Sequence, residues 1–347
     1  MTPARHQAPG NAPVKPRIGF LLGDPNGIGP ELAAKLLARP QNADLADIVV
    51  FTDESMLASG CRSSGVSSSV VRARHVDVRH VDLIKHDEIT PGQATPAGGR
   101  AALVSLKLAA AAAGDGEIDA IVFAPLNKHA MRLAGLVQED ELRLLQELFS
   151  VQGFVSEFNI TEGLWTSRVT SHIPLSEVAA NITQPRVLEA IHIVHRYLVA
   201  SGMKAPRIAV AGLNPHAGDG GSLGREEIDV IAPAIAAARA QGIAAAGPLS
   251  PDTMFVAARR GDYDAVVCMY HDQGQIAMKL LGFEQGVTLH GGLPIPVATC
   301  ASGTAFDIVG RNMANVQGLQ AAFTLAATIA AANIASAAAV RRRAQVA

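Results

Sequence analysis

The chain has 347 residues, 49% hydrophobic, 17% charged and only 4% aromatic; at roughly 100–200 residues per domain this length points to two domains, and so apolar a chain excludes general disorder. With 29 Lys and Arg against 31 Asp and Glu, the formal net charge is -2, which leaves no global basic field of the kind that drives nucleic-acid binding. Cys61, Cys268 and Cys300 stand far apart, with no zinc-knot or disulfide spacing, a usage that fits a reducing cytoplasm.

Residues 1–16 carry four prolines and no apolar stretch of signal-peptide length, so they read as a disordered tail. From there short apolar runs of strand character alternate with longer Ala/Leu-rich runs of helical period. The strands are expected at Arg17–Leu22, Asp47–Thr52, Ala120–Ala124, Trp165–Thr170, Arg207–Gly212 and Ala265–Met269. The helices are expected at Pro30–Arg39, Gly98–Ala113, Leu142–Phe149, Pro185–Ser201, Arg225–Gln241 and Ala314–Val340. Such alternation predicts an α/β protein with a mainly parallel sheet, whose ligands bind just beyond the carboxyl ends of the strands. Gly318–Val340 is uncharged and long enough to cross a bilayer. Its many alanines, with Gln320, Thr324, Thr328, Asn333 and Ser336, make it a packing helix instead, with Arg341, Arg342 and Arg343 at its negative dipole end. No membrane partner is expected.

The first junction, Gly23-Asp24-Pro25-Asn26-Gly27-Ile28-Gly29-Pro30-Glu31, is a glycine-rich turn feeding a helix, with Pro30 at the first helical position. It has the spacing of neither a dinucleotide fingerprint nor a P-loop. His172, His216 and His271 each follow an expected strand. A single such histidine is more often a satisfied core residue than a ligand; three at equivalent strand ends can converge on one crevice, and neutral imidazoles suit a divalent transition metal. His192 and His195, three apart in a helical stretch, read as a solvated helix face. The glycine-dense run Asn214–Gly221 and the turn Ala301–Ala305 offer backbone N–H groups that could cradle an anion. A flexible loop would read the same; Asn214, Gly218, Gly221 and Gly303 are the positions in these turns kept as candidate cofactor contacts.

The first junction, Gly212-Leu213-Asn214-Pro215-His216-Ala217-Gly218, Tyr270-His271-Asp272-Gln273-Gly274 and Gly303-Thr304-Ala305 closely resemble the 4-hydroxythreonine-4-phosphate dehydrogenase (PdxA) family, over about residues 17–338. The resemblance implies an isocitrate/isopropylmalate-dehydrogenase-like α/β fold, with two α/β/α domains around a central cleft, here 17–135 plus 305–340 and 136–304. It implies a cytoplasmic homodimer using NAD or NADP and a divalent metal: zinc, magnesium, cobalt or manganese. The family's metal ligands, one supplied by the partner subunit, fall on His172, His216 and His271. Asp252 and Asp272 match positions that support metal or substrate, Lys279 matches the substrate-binding lysine, and Lys128 is a candidate proton shuttle if burial lowers its pKa. The family reaction oxidises a secondary alcohol, and the resulting β-keto acid loses CO2.

The phosphate end departs from the family pattern. Where a Gly-His-Thr-Glu segment is expected, Gly135–Leu142 carries Glu139, Asp140 and Glu141 instead, carboxylates that would repel a phosphate. Thr288 replaces the phosphate-side asparagine and Val297 the phosphate arginine, whose guanidinium fork an isopropyl group cannot imitate. On these residues a phosphate-free substrate, such as a dihydroxylated carboxylate or dihydrodiol, is favoured over 4-phosphooxy-threonine. A non-catalytic binding protein is the third reading. Arg143 and Arg168 are the cations to inspect if phosphate is bound after all.

Overall fold

A computed structural model describes residues 15–72, 75–282 and 286–346, with side chains to Arg342; the expected tail lies outside the described residues except for Lys15 and Pro16. In chain order the first elements are β1 (Arg17–Leu21), α1 (Gly29–Leu37), α2 (Asn42–Leu45), β2 (Asp47–Thr52), α3 (Glu54–Ser64), β3 (Val76–His80), α4 (Pro96–Gly114), β4 (Ala120–Phe123), α5 (Lys128–Leu133) and α6 (Glu141–Leu148). There follow β5 (Ser156–Thr161), β6 (Leu164–Arg168), α7 (Val178–Asn181), α8 (Gln184–Ala200), β7 (Arg207–Ala211), α9 (Ala232–Ala240), β8 (Ala244–Leu249) and α10 (Pro251–Arg259). The chain ends with β9 (Ala265–Cys268), α11 (His271–Gly282), β10 (Val287–Gly291), β11 (Val297–Cys300) and α12 (Gln317–Val346). All six expected strands and all six expected helices are present, with ends shifted by a few residues.

The described strands form one sheet in the order β3-β2-β1-β4-β11-β10-β5-β6-β9-β7-β8. Seven pairings are parallel and three, at β11–β10, β10–β5 and β5–β6, are antiparallel. Three reversals in a row have a directional consequence: β1 to β4 and β11 point one way, and β6 to β9 point the other. Each block is parallel within itself, so each gathers its own strand ends at one edge.

Successive strand residues face opposite sides of the sheet. Phe20, Val50, Val122, Phe158 and Leu289 join one core with α1, α8 and α12; Leu21, Val49, Phe51, Ile121 and Phe123 join a second with α4 and α6. A third, smaller core seats Met254 of α10 and Met278 of α11 on β7 and β9. Helix α12 buries Leu319, Ala322, Phe323, Ala326 and Ile329 against the sheet. Its length and composition would suffice to cross a membrane, with 28% of its most apolar window buried. The expected solvated face at His192 and His195 is corrected: His192 Nε2 is buried without a hydrogen-bond partner, and burial, with His192 nearby, lowers the pKa of His195.

Candidate active site

At the ends of β1, β4 and β11 three loops lock together through the backbone. Asp24 N–H donates to Pro125 O (2.9 Å) and Ile28 N–H to Thr304 O (3.0 Å), while Asn127 Nδ2 reaches Thr304 Oγ1 (3.3 Å). Gly23 is required here: its φ is +78°, and a Cβ would lie 2.5 Å from Pro125 O. Asn26 accepts from Thr90 N–H (2.7 Å) and donates to Thr95 Oγ1 (2.9 Å). Asp24 is fully buried; its Oδ1 accepts from Asn26 N–H (2.8 Å) while its Oδ2 has no partner, and burial pushes its carboxyl up to about 6. Lys128 opens α5 behind the Asn127 cap. Its side chain is 47% exposed and 3.8 Å from Glu141, so the burial that would make it a proton shuttle is absent.

The other edge collects the histidines. After β6, Val169 and Thr170 donate to Cys268 O and Met269 O (2.9 and 3.1 Å), so the two chain segments run together beyond the sheet. That pairing sets His172 beside His271, ring centroids 5.3 Å apart at 45°. Gln273 straps β9 to β7, accepting from Met269 N–H (2.7 Å) and donating to Gly212 O (2.8 Å). His216 follows β7, and Asp252, in the first turn of α10, follows β8; the Ser250 hydroxyl, then backbone N–H groups and the nearby His216, hold the Asp252 carboxyl below its ordinary value. His172 and His271 are thus brought together and His216 is grouped with Asp252. Among the described residues the one convergent set of three metal-ligating side chains is Glu139, Asp140 and His172.

Both paired imidazoles carry a carboxylate on Nδ1. His271 Nδ1 is 2.7 Å from Asp272 Oδ1, and His172 Nδ1 contacts Glu139, with Asp140 at 3.6 Å. The Nε2 atoms remain as donors, and this donor chemistry fits a divalent transition metal. The loop carrying His216 is unusual in backbone: residues 216 to 220 all have positive φ, from 42° to 80°. For His216, Ala217 and Asp219 this costs about 1–2 kcal/mol each. Buried Glu227 braces the loop, accepting from Leu213 N–H and Asn214 N–H (both 2.7 Å) and from Asn214 Nδ2 (3.0 Å).

The candidate cofactor residues divide. Asn214, Gly218 and Gly221 lie on the His216 loop, whereas Gly303 follows β11, five strand positions from β7 in the sheet, or about 24 Å, at an edge that points the other way. Gly303 has open space where a Cβ would stand, which leaves room for a ligand to approach its backbone. Lys279 is exposed on α11, eight residues beyond His271.

The phosphate-end expectations need correction. Val297 is 0% exposed and packs in the core with Leu293 and Ile295; Thr288 is buried against Asn159 (3.4 Å). The three carboxylates do not form an open repulsive wall. Glu139 engages His172, Asp140 caps α6 through Arg143 N–H (2.9 Å), and Glu141 faces Lys128. Beside His172 lies a cavity of about 430 Å³ whose lining includes Arg143, Arg168 and Arg186. Arg168, 6% exposed, is held by Glu157 and Asn159 (both 2.9 Å) and Ser171 (3.1 Å). Despite its burial Glu157 has a lowered pKa, because the Arg168 guanidinium overcomes the desolvation that would raise it. Among the described residues the side chains of Arg143 and Arg186 bond to the amide oxygens of Gln146 and Asn181 (2.7 Å each).

Comparison with known proteins extends from fold to chemistry. The family model for pyridoxal phosphate biosynthetic protein PdxA matches residues 44–326. A Pseudomonas aeruginosa protein provisionally named 4-hydroxythreonine-4-phosphate dehydrogenase 2 is 48% identical over 329 residues, 91% of this chain and 97% of its own. The Geobacter metallireducens 4-hydroxythreonine-4-phosphate dehydrogenase is 39% identical over 330 residues, 91% and 96% of the two chains. The crystal structure of the Klebsiella pneumoniae enzyme of that name superposes with a TM-score of 0.76 at 36% identity, covering 92% and 99% of the two chains. A terephthalate 1,2-cis-dihydrodiol dehydrogenase from Burkholderia xenovorans is more distant, with a TM-score of 0.66 at 28% identity and coverage of 90% and 98%, so the dihydrodiol-type alternative is not favoured. A β-decarboxylating dehydrogenase from Thermococcus kodakarensis, 12% identical with a TM-score of 0.51 over 88% and 81% of the two chains, shares the fold alone. A match of this length and identity makes the chain a member of the 4-hydroxythreonine-4-phosphate dehydrogenase (PdxA) family, an α/β dehydrogenase acting on a CH–OH group.

Proposed function

We propose that the chain is a cytoplasmic enzyme that oxidises a phosphorylated β-hydroxy acid of the 4-phosphooxy-threonine type with NAD or NADP and a divalent metal, and that the β-keto acid then loses CO2. The observation that carries this reading is the placement of His172, His271 and His216 at the ends of three adjacent, co-directional strands, β6, β9 and β7. In this reading the three imidazoles hold the metal and Asp252 and Asp272 orient them. When bound, the metal supplies Lewis acidity at the substrate hydroxyl and the nicotinamide supplies the hydride acceptor. Lys279 binds substrate, and Lys128, exposed beside Glu141, is left without a proton-transfer role. Asn214, Gly218, Gly221 and Gly303 contact the cofactor, across a cleft between a unit of 17–135 plus 305–340 and a unit of 136–304. Arg143 and Arg186, which among the described residues have no carboxylate partner in the cavity beside His172, support a phosphorylated substrate.

A homodimer completes the set. Leu175, Val256, Ile276 and Leu280 are exposed on the segments that carry the histidines and Asp252, an apolar dressing suited to a surface that a second copy covers. Steady-state turnover of 4-phosphooxy-threonine against its phosphate-free analogue, with NAD and each divalent metal in turn, tests the reading. The phosphorylated substrate is expected to win by roughly 100-fold in kcat/KM, about 2.7 kcal/mol. Preference for the phosphate-free analogue would overturn the substrate assignment, and absence of turnover on both would overturn the reaction.

A further inference from the structure

We infer that Glu139 is a positioning residue for the metal: its carboxylate fixes the His172 ring through Nδ1 and so presents Nε2 as the ligand atom. This rests on the reading of His172 as a metal ligand.

Three observations converge on Glu139. First, its carboxylate contacts Nδ1 of His172. Second, the neighbouring imidazole is held in the same way, His271 by Asp272 at 2.7 Å, so the two rings, 5.3 Å apart, form a matched pair of carboxylate–imidazole units. A carboxylate on one ring nitrogen sets the tautomer, makes the other nitrogen more basic and aims it. Third, Glu139 stands on a fixed base. The next residue, buried Asp140, is the N-cap of α6, and α6 is anchored by Leu142, Leu144 and Leu145 in the second core. Asp140 cannot take over the role, because its Oδ1 is committed to the Arg143 N–H and its Oδ2 lies 3.6 Å from the ring nitrogen.

The sequence departure at Gly135–Leu142 thereby acquires a meaning other than phosphate repulsion. Where the family's Gly-His-Thr-Glu segment is expected, this chain offers a carboxylate to the metal site from an element more than thirty residues upstream of the ligand it orients.

The test is Co2+ binding to the full-length protein, read by the visible d–d spectrum and by titration, for wild type and the Glu139→Gln, His172→Ala and His216→Ala variants. Glu139→Gln is expected to weaken Co2+ binding by about 10–100-fold, with the number of coordinating atoms seen by X-ray absorption unchanged. The side chain is 41% exposed and nearly isosteric with its replacement, and urea unfolding checks that the fold is intact. Affinity within twofold of wild type would overturn the proposal. Loss of one oxygen from the coordination shell would also overturn it, by making Glu139 a direct ligand. Should His172→Ala and His216→Ala bind Co2+ as wild type does, the metal assignment itself fails. If both histidine variants lose the metal and Glu139→Gln does not, only the role of Glu139 falls.

Discussion

At the ends of β1, β4 and β11 the loops satisfy one another through backbone hydrogen bonds and bury their polar groups, whereas at the ends of β6, β9, β7 and β8 the side chains stand half-exposed on a strained or helix-opening backbone. The first edge needs nothing further to hold its shape. The second has histidines tied to carboxylates, a left-handed run braced by one buried glutamate, and apolar side chains facing outward. Groups that a chain leaves exposed and oriented are those on which a ligand or a second subunit can act, because their interaction energy is not already committed within the fold.

The contrast is broken most severely by His216→Ala or His271→Ala. Each is expected to lose bound metal, measured by elemental analysis, and to lower turnover on the order of 10³-fold, since a catalytic metal contributes several kcal/mol at the transition state. The first edge and the fold should survive, as circular dichroism would report; normal metal content with near-normal turnover would remove the site. Subunit mixing sharpens the comparison further. Because His172 and His271 pair within one chain while His216 does not join them, inactive His172→Ala and His216→Ala chains mixed under verified exchange should recover roughly a quarter of wild-type turnover, the statistical yield of one intact shared site per hybrid. No recovery would mean that each chain builds its site alone.

Glu227→Ala is a smaller disturbance confined to the second edge. It removes three hydrogen bonds from the loop before His216 and should cost about 3 kcal/mol in urea unfolding, with weakened metal binding; unchanged stability would show that the left-handed run holds itself. Asp24 gives the smallest effect, at the first edge. Its pKa is raised on folding to about 6, so the folded state holds a proton that the unfolded chain releases, and stability falls as pH rises through about 4 to 6. Between pH 5 and 7.5 the wild type should lose about 1 kcal/mol relative to Asp24→Asn. Parallel pH profiles for the two proteins would show that the carboxyl is not held protonated.

The sequence makes the parallel blocks legible and hides the strands between and beside them. β1, β2, β4, β7 and β9 are mainly apolar runs, the signature of strands covered on both faces, while β6, Leu-Trp-Thr-Ser-Arg, buries a polar half. β8 is Ala-Ala-Ala-Gly-Pro-Leu, which has no strand propensity of its own, and β3 is a half-polar edge strand. β10 and β11 flank Gly292-Leu293-Pro294-Ile295-Pro296, a run that reads as turn chemistry. The histidines are legible because each directly follows a visible strand. Glu139 is not, because its meeting with His172 depends on where α6 begins. One local signal exists, Asp140 followed by an amphipathic helix, which marks an N-cap. The buried Arg168–Glu157 pair was equally hidden, since it needs the antiparallel partner strand β5 to be recognised first.

The reversal of direction at the middle of the sheet sets how the two edges meet. In a flat sheet the ends of β4 and of β9 would point in opposite senses. Five steps separate these strands, and at an ordinary twist of about 20–25° per step their directions are rotated by roughly 110° from those of a flat sheet. The span between the Gly303 turn and the histidines is therefore governed by the coiling of the strands themselves. A change of about 3° per step, small beside the ordinary range of about 10–35°, adds up to some 15° of rotation across those five steps. A substitution that alters the twist of β10 or β5 would therefore change the relative direction of both edges at once.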